Sequence, residues 1–212
     1  GASTWLGVML RNTIDGGAGT GDRLVVAASA HVDATAGKLY KGFEQVQVQD
    51  SQTVDVTQLA TNNTIDTVRI NAAAGATGAT GLSAAQAAAV QVIQAGGGVI
   101  TVGVTGATTG GQIDTVKIAA TTTTAAGAAQ AINLTGVTLT GVEKLEVTGN
   151  GTAAATTGAI TLTTANATSL DSITVKNAAA TTVTIAAGQT ATNLVVDGSG
   201  STGAVTVDAS AY

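Results

Sequence analysis

Leu145-Glu146-Val147, Ile160-Thr161-Leu162, Ile173-Thr174-Val175, Val183-Thr184-Ile185, Leu194-Val195-Val196 and Val205-Thr206-Val207 repeat one phrase: apolar, any residue, apolar. Counted at the central residues, the steps between copies are 15, 13, 10, 11 and 11. A two-residue period marks one buried strand face. Its recurrence between Gly, Asn, Ser and Thr residues predicts a chain wound into stacked coils. The expected fold is mainly β, a parallel β-solenoid or β-roll-like stack of short strands with a small strand-helix insertion. Parallel crossings of this kind are overwhelmingly right-handed. One coil has too little apolar surface to be stable alone, so the pattern reads as a structural ladder.

Composition agrees with a scaffold. Ala, Gly and Thr number 42, 28 and 39, so 109 of 212 residues are of three small types. Only Trp5, Tyr40, Phe43 and Tyr212 are aromatic, far fewer than an ordinary core of this length uses. The interior should be narrow. No run approaches the roughly 20 apolar residues of a membrane span. A net charge of −5 with 8 basic residues argues against nucleic acid and favours cations as partners. With no Cys there is no disulfide framework. The chain opens at Gly1 without a leader and ends abruptly after Val207, so it reads as a piece of a longer protein.

Upstream of the ladder, Ile65-Asp66-Thr67-Val68-Arg69-Ile70 returns as Ile113-Asp114-Thr115-Val116-Lys117-Ile118, an internal duplication with Lys in place of Arg. After the first copy, Ser83 is placed to cap a helix over Ala84 to Ala95, closed by Gly96-Gly97-Gly98. Val99 to Val104 reads as a strand, and Thr124 to Ile132 as a shorter helix. Three regions follow: 1–60 with a glycine-rich turn and first strands, 61–135 as a duplicated strand and helix insertion, and 136–212 as the short-strand solenoid.

The most chemically specific segment is Asp15-Gly16-Gly17-Ala18-Gly19-Thr20-Gly21-Asp22-Arg23-Leu24. Dense glycines can aim several carbonyls at one point between two carboxylates, the mixed oxygen set that Ca2+ prefers. After Leu24-Val25-Val26 comes Gly42-Phe43-Glu44-Gln45-Val46-Gln47-Val48, echoed far downstream as Gly141-Val142-Glu143-Lys144-Leu145-Glu146-Val147. The first segment resembles the glycine-rich calcium repeat of RTX proteins, with Gly21 where Asp is expected and Asp22 one place late. Together with the second phrase it resembles RTX-type surface-layer (S-layer) proteins of Gram-negative bacteria. The resemblance implies calcium at Asp15, Gly17, Gly19, Gly21, Asp22 and Glu44. It also implies export, an extracellular cell-surface location and assembly of the protein with itself into a lattice. The alternative expectation is a stalk or ligand-binding region of a large secreted adhesin that contacts cell-surface glycan.

Enzyme signatures are lacking, and no catalytic role is expected. His31 has no second His or Cys for a zinc site, and no serine sits in a G-x-S-x-G elbow. Glu143 and Glu146 are three apart in a strand reading and so face opposite sides. Thr138/Thr140, Thr161/Thr163 and Thr182/Thr184 could form ice-binding ranks, but the uneven 10 to 15 steps argue for ordinary β-forming threonines. Asp197 and Asp208 stand one step apart at equivalent strand ends, a weaker second cation candidate whose plain reading is two solvated turn residues.

Overall fold

The computed structural model describes residues 12–95, 98–120, 132–149, 160–165, 169–185, 187 and 193–212. Its first half contains β1 (Ile14–Asp15), β2 (Arg23–Val26), β3 (Tyr40–Lys41), β4 (Gln45–Val48), β5 (Thr53–Asp55), β6 (Thr67–Ala72), β7 (Thr77–Leu82), α1 (Ala84–Ala87) and β8 (Val90–Ala95). The second half contains β9 (Ile100–Val104), β10 (Thr115–Ala120), β11 (Ile132–Leu139), β12 (Lys144–Gly149), β13 (Ile160–Ala165), β14 (Ser172–Lys176), β15 (Thr181–Ile185), β16 (Val195–Asp197) and β17 (Val205–Asp208). Even-numbered strands β2 to β16 form one eight-stranded sheet, and odd-numbered strands β5 to β17 form a seven-stranded one. Every pairing is parallel. The molecule is therefore a β-solenoid whose coil contributes one strand to each sheet, with β1 and β3 forming a small separate pair.

Register sets the repeat. Leu24, Val46, Val68 and Val90 are stacked partners at equal intervals along the chain. The middle coils are longer, Val116 pairing with Leu145 and Leu145 with Ile173, and the last shortens again, Ile173 pairing with Val196. The six apolar phrases alternate between the sheets, so two phrases make one coil. The uneven 10 to 15 steps are thus half-coils measured across the interior. That removes spacing as the ground against threonine ranks, since Thr182 stacks on Thr161 and Thr206 on Thr182. Composition takes its place: Gly78 sits between Thr53 and Thr101, and Asp208 stacks on Thr184.

Alternate residues turn inward, as in β6 and β14, where buried apolar positions alternate with partly exposed ones. Val46, Val68, Leu145 and Ile173 are wholly buried. Tyr40 and Phe43 are the aromatic residues of the described core, which is otherwise filled by aliphatic side chains and alanine. A two-sheet coil leaves a thin interior, and Val, Leu and Ile side chains from the two sheets fill most of it.

Residues 61–135 supply β6 to β10 and the first residues of β11, and these strands take consecutive places in the two sheets. Ser83 caps α1 as expected, accepting from Gln86 N while the Gln86 side chain accepts from Ser83 N. The helix expected over Ala84 to Ala95 is corrected to this single turn, because Val90–Ala95 is strand β8. Val90 and Val92 fill stacked inward positions there, and ladder pairing outweighs the local helix preference of Ala and Gln. The strand expected at Val99 to Val104 is β9. The second helix candidate, Thr124 to Ile132, lies outside the described residues except for Ile132, which opens β11. Among the described residues no helix is long and apolar enough to cross a membrane.

Candidate functional site

The corner where the chain turns into the eight-stranded sheet carries a column of acids. Asp22, Glu44, Asp66, Asp114, Glu143 and Asp171 each immediately precede a strand of that sheet, two places before its first inward apolar side chain. Their backbones stack in two runs, Asp22–Glu44–Asp66 and Asp114–Glu143–Asp171, separated by the β8 coil, which has no acid before its strand. Asp22 O accepts from Glu44 N and Gln45 N, Glu44 O from Asp66 N and Thr67 N, and Asp114 O from Glu143 N and Lys144 N. Glu143 O does the same for Asp171 N and Ser172 N.

The two glutamates act as clips to the preceding coil. Glu44 Oε2 accepts from Asp22 N at 2.8 Å and Gly21 N at 3.1 Å. Glu143 Oε2 accepts from Asp114 N at 2.8 Å. In both repeats the glycine two places earlier makes the corner, Gly42 at φ 71° and Gly141 at φ 73°, a region side chains rarely adopt. The residue between packs inward: Phe43 and Val142 are buried. The echoed phrase is therefore a corner device in which a left-handed glycine, an apolar anchor and a glutamate bind one coil to the next.

The glycine turn from Asp15 to Asp22 lies against this corner. Asp15 Oδ2 pairs with Lys41 Nζ at 2.9 Å, and its Oδ1 accepts from Gly17 N at 3.0 Å. Lys41, then the Gly17 N–H, holds the Asp15 carboxyl below the usual range. Asp22 differs, for its Oδ2 is buried and has no hydrogen-bond partner. A β-carbon at Gly19 would stand 3.1 Å from that oxygen, so the glycine keeps the space beside it open. Asp114 Oδ2, at the equivalent corner, is buried and unpartnered in the same way. A buried acceptor left without a donor costs about 1–3 kcal/mol.

Of the residues expected to hold calcium, the structure brings Gly21, Asp22 and Glu44 together. Asp15 is turned to Lys41 instead. Gly17 donates to Asp15 and takes φ 103°. Gly19 faces Asp22. No group of three or more His, Cys, Asp or Glu residues that could hold a metal ion occurs among the described residues. Among the side chains expected to hold calcium, Asp22 is the one with a buried, unpartnered oxygen.

The second cation candidate is corrected. Asp197 belongs to β16 and stacks on Thr174, whereas Asp208 belongs to β17 in the other sheet and stacks on Thr184. Adjacent half-coils alternate sheets, so equivalence in sequence is not adjacency in space. Each carboxylate instead caps its own turn, accepting from Ser199 N at 2.8 Å and Ser210 N at 3.0 Å. Asn63 is a strut as well, accepting from Phe43 N and donating to Tyr40 O and Leu59 O. His31 ends an exposed 3-10 turn. Glu146 lies on the outer face of β12, paired with Lys117 at 2.9 Å, away from the Glu143 corner.

Read as separate phrases, Glu44, Asp66, Asp114 and Glu143 give no hint of the column they form. The signal is nonetheless present as acid, any residue, apolar, any residue, apolar, beginning at Asp22, Glu44, Asp66, Asp114, Glu143 and Asp171. Its first three copies are evenly spaced. No protein-family model matches the chain, and no curated protein and no solved structure matches it either.

Proposed function

We propose that this chain is a structural segment of a bacterial surface layer, exported to the cell surface, where copies of it assemble into a lattice. The observation that carries this reading is the parallel ladder, whose coils repeat the same two-strand geometry and offer two long outer faces. Such a body resists bending and presents periodic contacts, which suits a tiling element. We further propose that calcium stiffens the glycine turn, with Asp22 as the side-chain ligand. The support is the unpartnered Asp22 oxygen and the open space at Gly19. A second reading, a sugar-contacting region of a large adhesin, is favoured by basic side chains gathered on one outer face.

Purified protein with added calcium separates the readings. Ordered sheets or filaments under the electron microscope support the lattice, while a persistent monomer that binds glycan moves the assignment to the adhesin. Calorimetric titration with calcium, repeated on Asp22→Ala, tests the ion. Absence of both heat and any gain in melting temperature removes calcium from the account.

A further inference from the structure

The two outer faces differ in charge. Arg23, Arg69, Lys117, Lys144 and Lys176, five of the eight Lys and Arg residues, lie at outward positions of the eight-stranded sheet. The strands of the seven-stranded sheet carry none. A protein of net charge −5 thus gathers most of its cations on one side. Against them, the strands of that sheet hold Glu146, already paired with Lys117, and Asp197 at the β16 end. The six corner acids stand just before these strands, Asp22 next to Arg23 and Glu143 next to Lys144, and Glu44 and Glu143 are turned to backbone N–H groups.

Arginine placement on this face is unusual. Arg69 is half-buried, its Nε has no hydrogen-bond partner, and no ion pair is formed by Arg69 or Arg23 among the described residues. Burial, then the neighbouring charge of Arg23, lowers the Arg69 pKa. Arg23 stands two strands away on the same outward face, in the neighbouring row that runs Arg23, Gln45, Thr67, and a guanidinium with no carboxylate beside it is a good receptor for one, which it grips through paired N–H donors. Gln47 lies between Val25 and Arg69 in the stack, and Gln91 follows Arg69, adding amide donors and acceptors to the same track.

That track continues along the stack from Arg69 through Gln91, Ala119 and Thr148 to Lys176. Ala88, Ala89, Gln91, Lys117, Ala119 and Glu146 are among the residues lining a depression of about 330 Å3 on this face. At about 4.8 Å per strand, the track from β2 to β14 is roughly 29 Å long. A linear polymer with repeated carboxylates fits a face of that length whose cations are spread over adjacent rows, Arg69 and Lys176 in one and Arg23, Lys117 and Lys144 beside it. Nucleic acid fits less well, because the net charge repels a dense polyphosphate and the face has no aromatic platform for bases.

We infer that the outer face of the eight-stranded sheet binds an acidic, carboxylate-bearing polysaccharide laid along the stack, with Arg23 and Arg69 each offering a guanidinium to its carboxylates. This rests on the sugar-contacting reading and names its surface and ligand class; it is independent of lattice assembly. The probe is polygalacturonate, titrated without calcium onto protein shown to be monomeric by size-exclusion chromatography, with neutral dextran and oligo-dT in parallel. Binding of polygalacturonate that weakens with salt, falls at least tenfold in Arg23→Gln/Arg69→Gln and is unchanged in Lys38→Gln, off this face, supports the inference. The pair Lys144→Gln/Lys176→Gln should weaken binding in the same direction and serves if the arginine variant melts early. No binding by the native protein overturns the inference, as does binding insensitive to both double variants. Dextran binding alone overturns it while sparing the broader sugar reading, and oligo-dT held as tightly as polygalacturonate overturns the ligand class.

Discussion

At the scale of single residues, the corner phrase explains why two glycines and two glutamates recur. Gly141→Ala places a β-carbon 2.5 Å from Ala107 O on a backbone at φ 73°, so urea unfolding should show a loss of at least about 1–2 kcal/mol. Glu143→Ala strips the acceptor from Asp114 N and should cost about 1–3 kcal/mol, whereas Glu143→Gln keeps an acceptor and should cost less than half as much. Equal losses for both substitutions would show that charge, not the clip, is what matters. The turn aspartates set the acid limb of stability. Lys41 lowers the Asp15 pKa, and Ser199 and Ser210 lower those of Asp197 and Asp208. A carboxyl depressed in the folded state stabilises it above the unfolded value of about 3.9, and the contribution vanishes as pH falls through the folded value. Calorimetry should therefore find a flat melting temperature from about pH 7 to 5 and a decline below about pH 4. The glycine and carboxylate residues of the site were legible in sequence. That Asp15 meets Lys41, and that Glu44 and Glu143 meet the N–H groups of Asp22 and Asp114, was not, because those partners are supplied by chain a full coil away.

Elements here are held by their neighbours more than by their own propensity. Leu145 is wholly buried on the inward face of β12, so Leu145→Ala should cost about 2–5 kcal/mol, while Lys144→Ala beside it should stay within about 0.5 kcal/mol. Thr174→Pro, in β14 between β12 and β16, removes a ladder donor from an interior strand and should cost about 3 kcal/mol or more by denaturant unfolding. The same logic explains β8. Ala and Gln favour helix locally, but Val90 between Val68 and Ile118 completes an apolar column, and the chain stays helical only for the turn that Ser83 caps. Period-two phrases such as Ile173-Thr174-Val175 were readable because alternation is a local property of a half-buried strand. The extent of α1 was not, since it depends on what stacks above and below.

For the whole molecule, the coil is the unit of change. Deleting residues 44–65 removes one whole repeat and joins Phe43 to Asp66, another acid at the start of a strand. That variant should keep a β-sheet circular dichroism spectrum and a cooperative melt, at reduced stability, because each coil contacts chiefly its neighbours. Deleting residues 44–54 removes half a coil, puts inward strands of one sheet in line with the other, and should abolish the cooperative melt. Since paired strands are separated by a full coil of chain, refolding should be slow for a protein of this size. Sequence alone determined that the protein is a stack of short parallel strands with a thin interior, because strand alternation and turn composition are written locally. Tertiary structure alone decided that two phrases make a coil, that six acids share one corner and that Asp197 and Asp208 lie on separate sheets. It also decided that five cations share one face. Those relations depend on register between coils, and register emerges only when every inward side chain is buried at once.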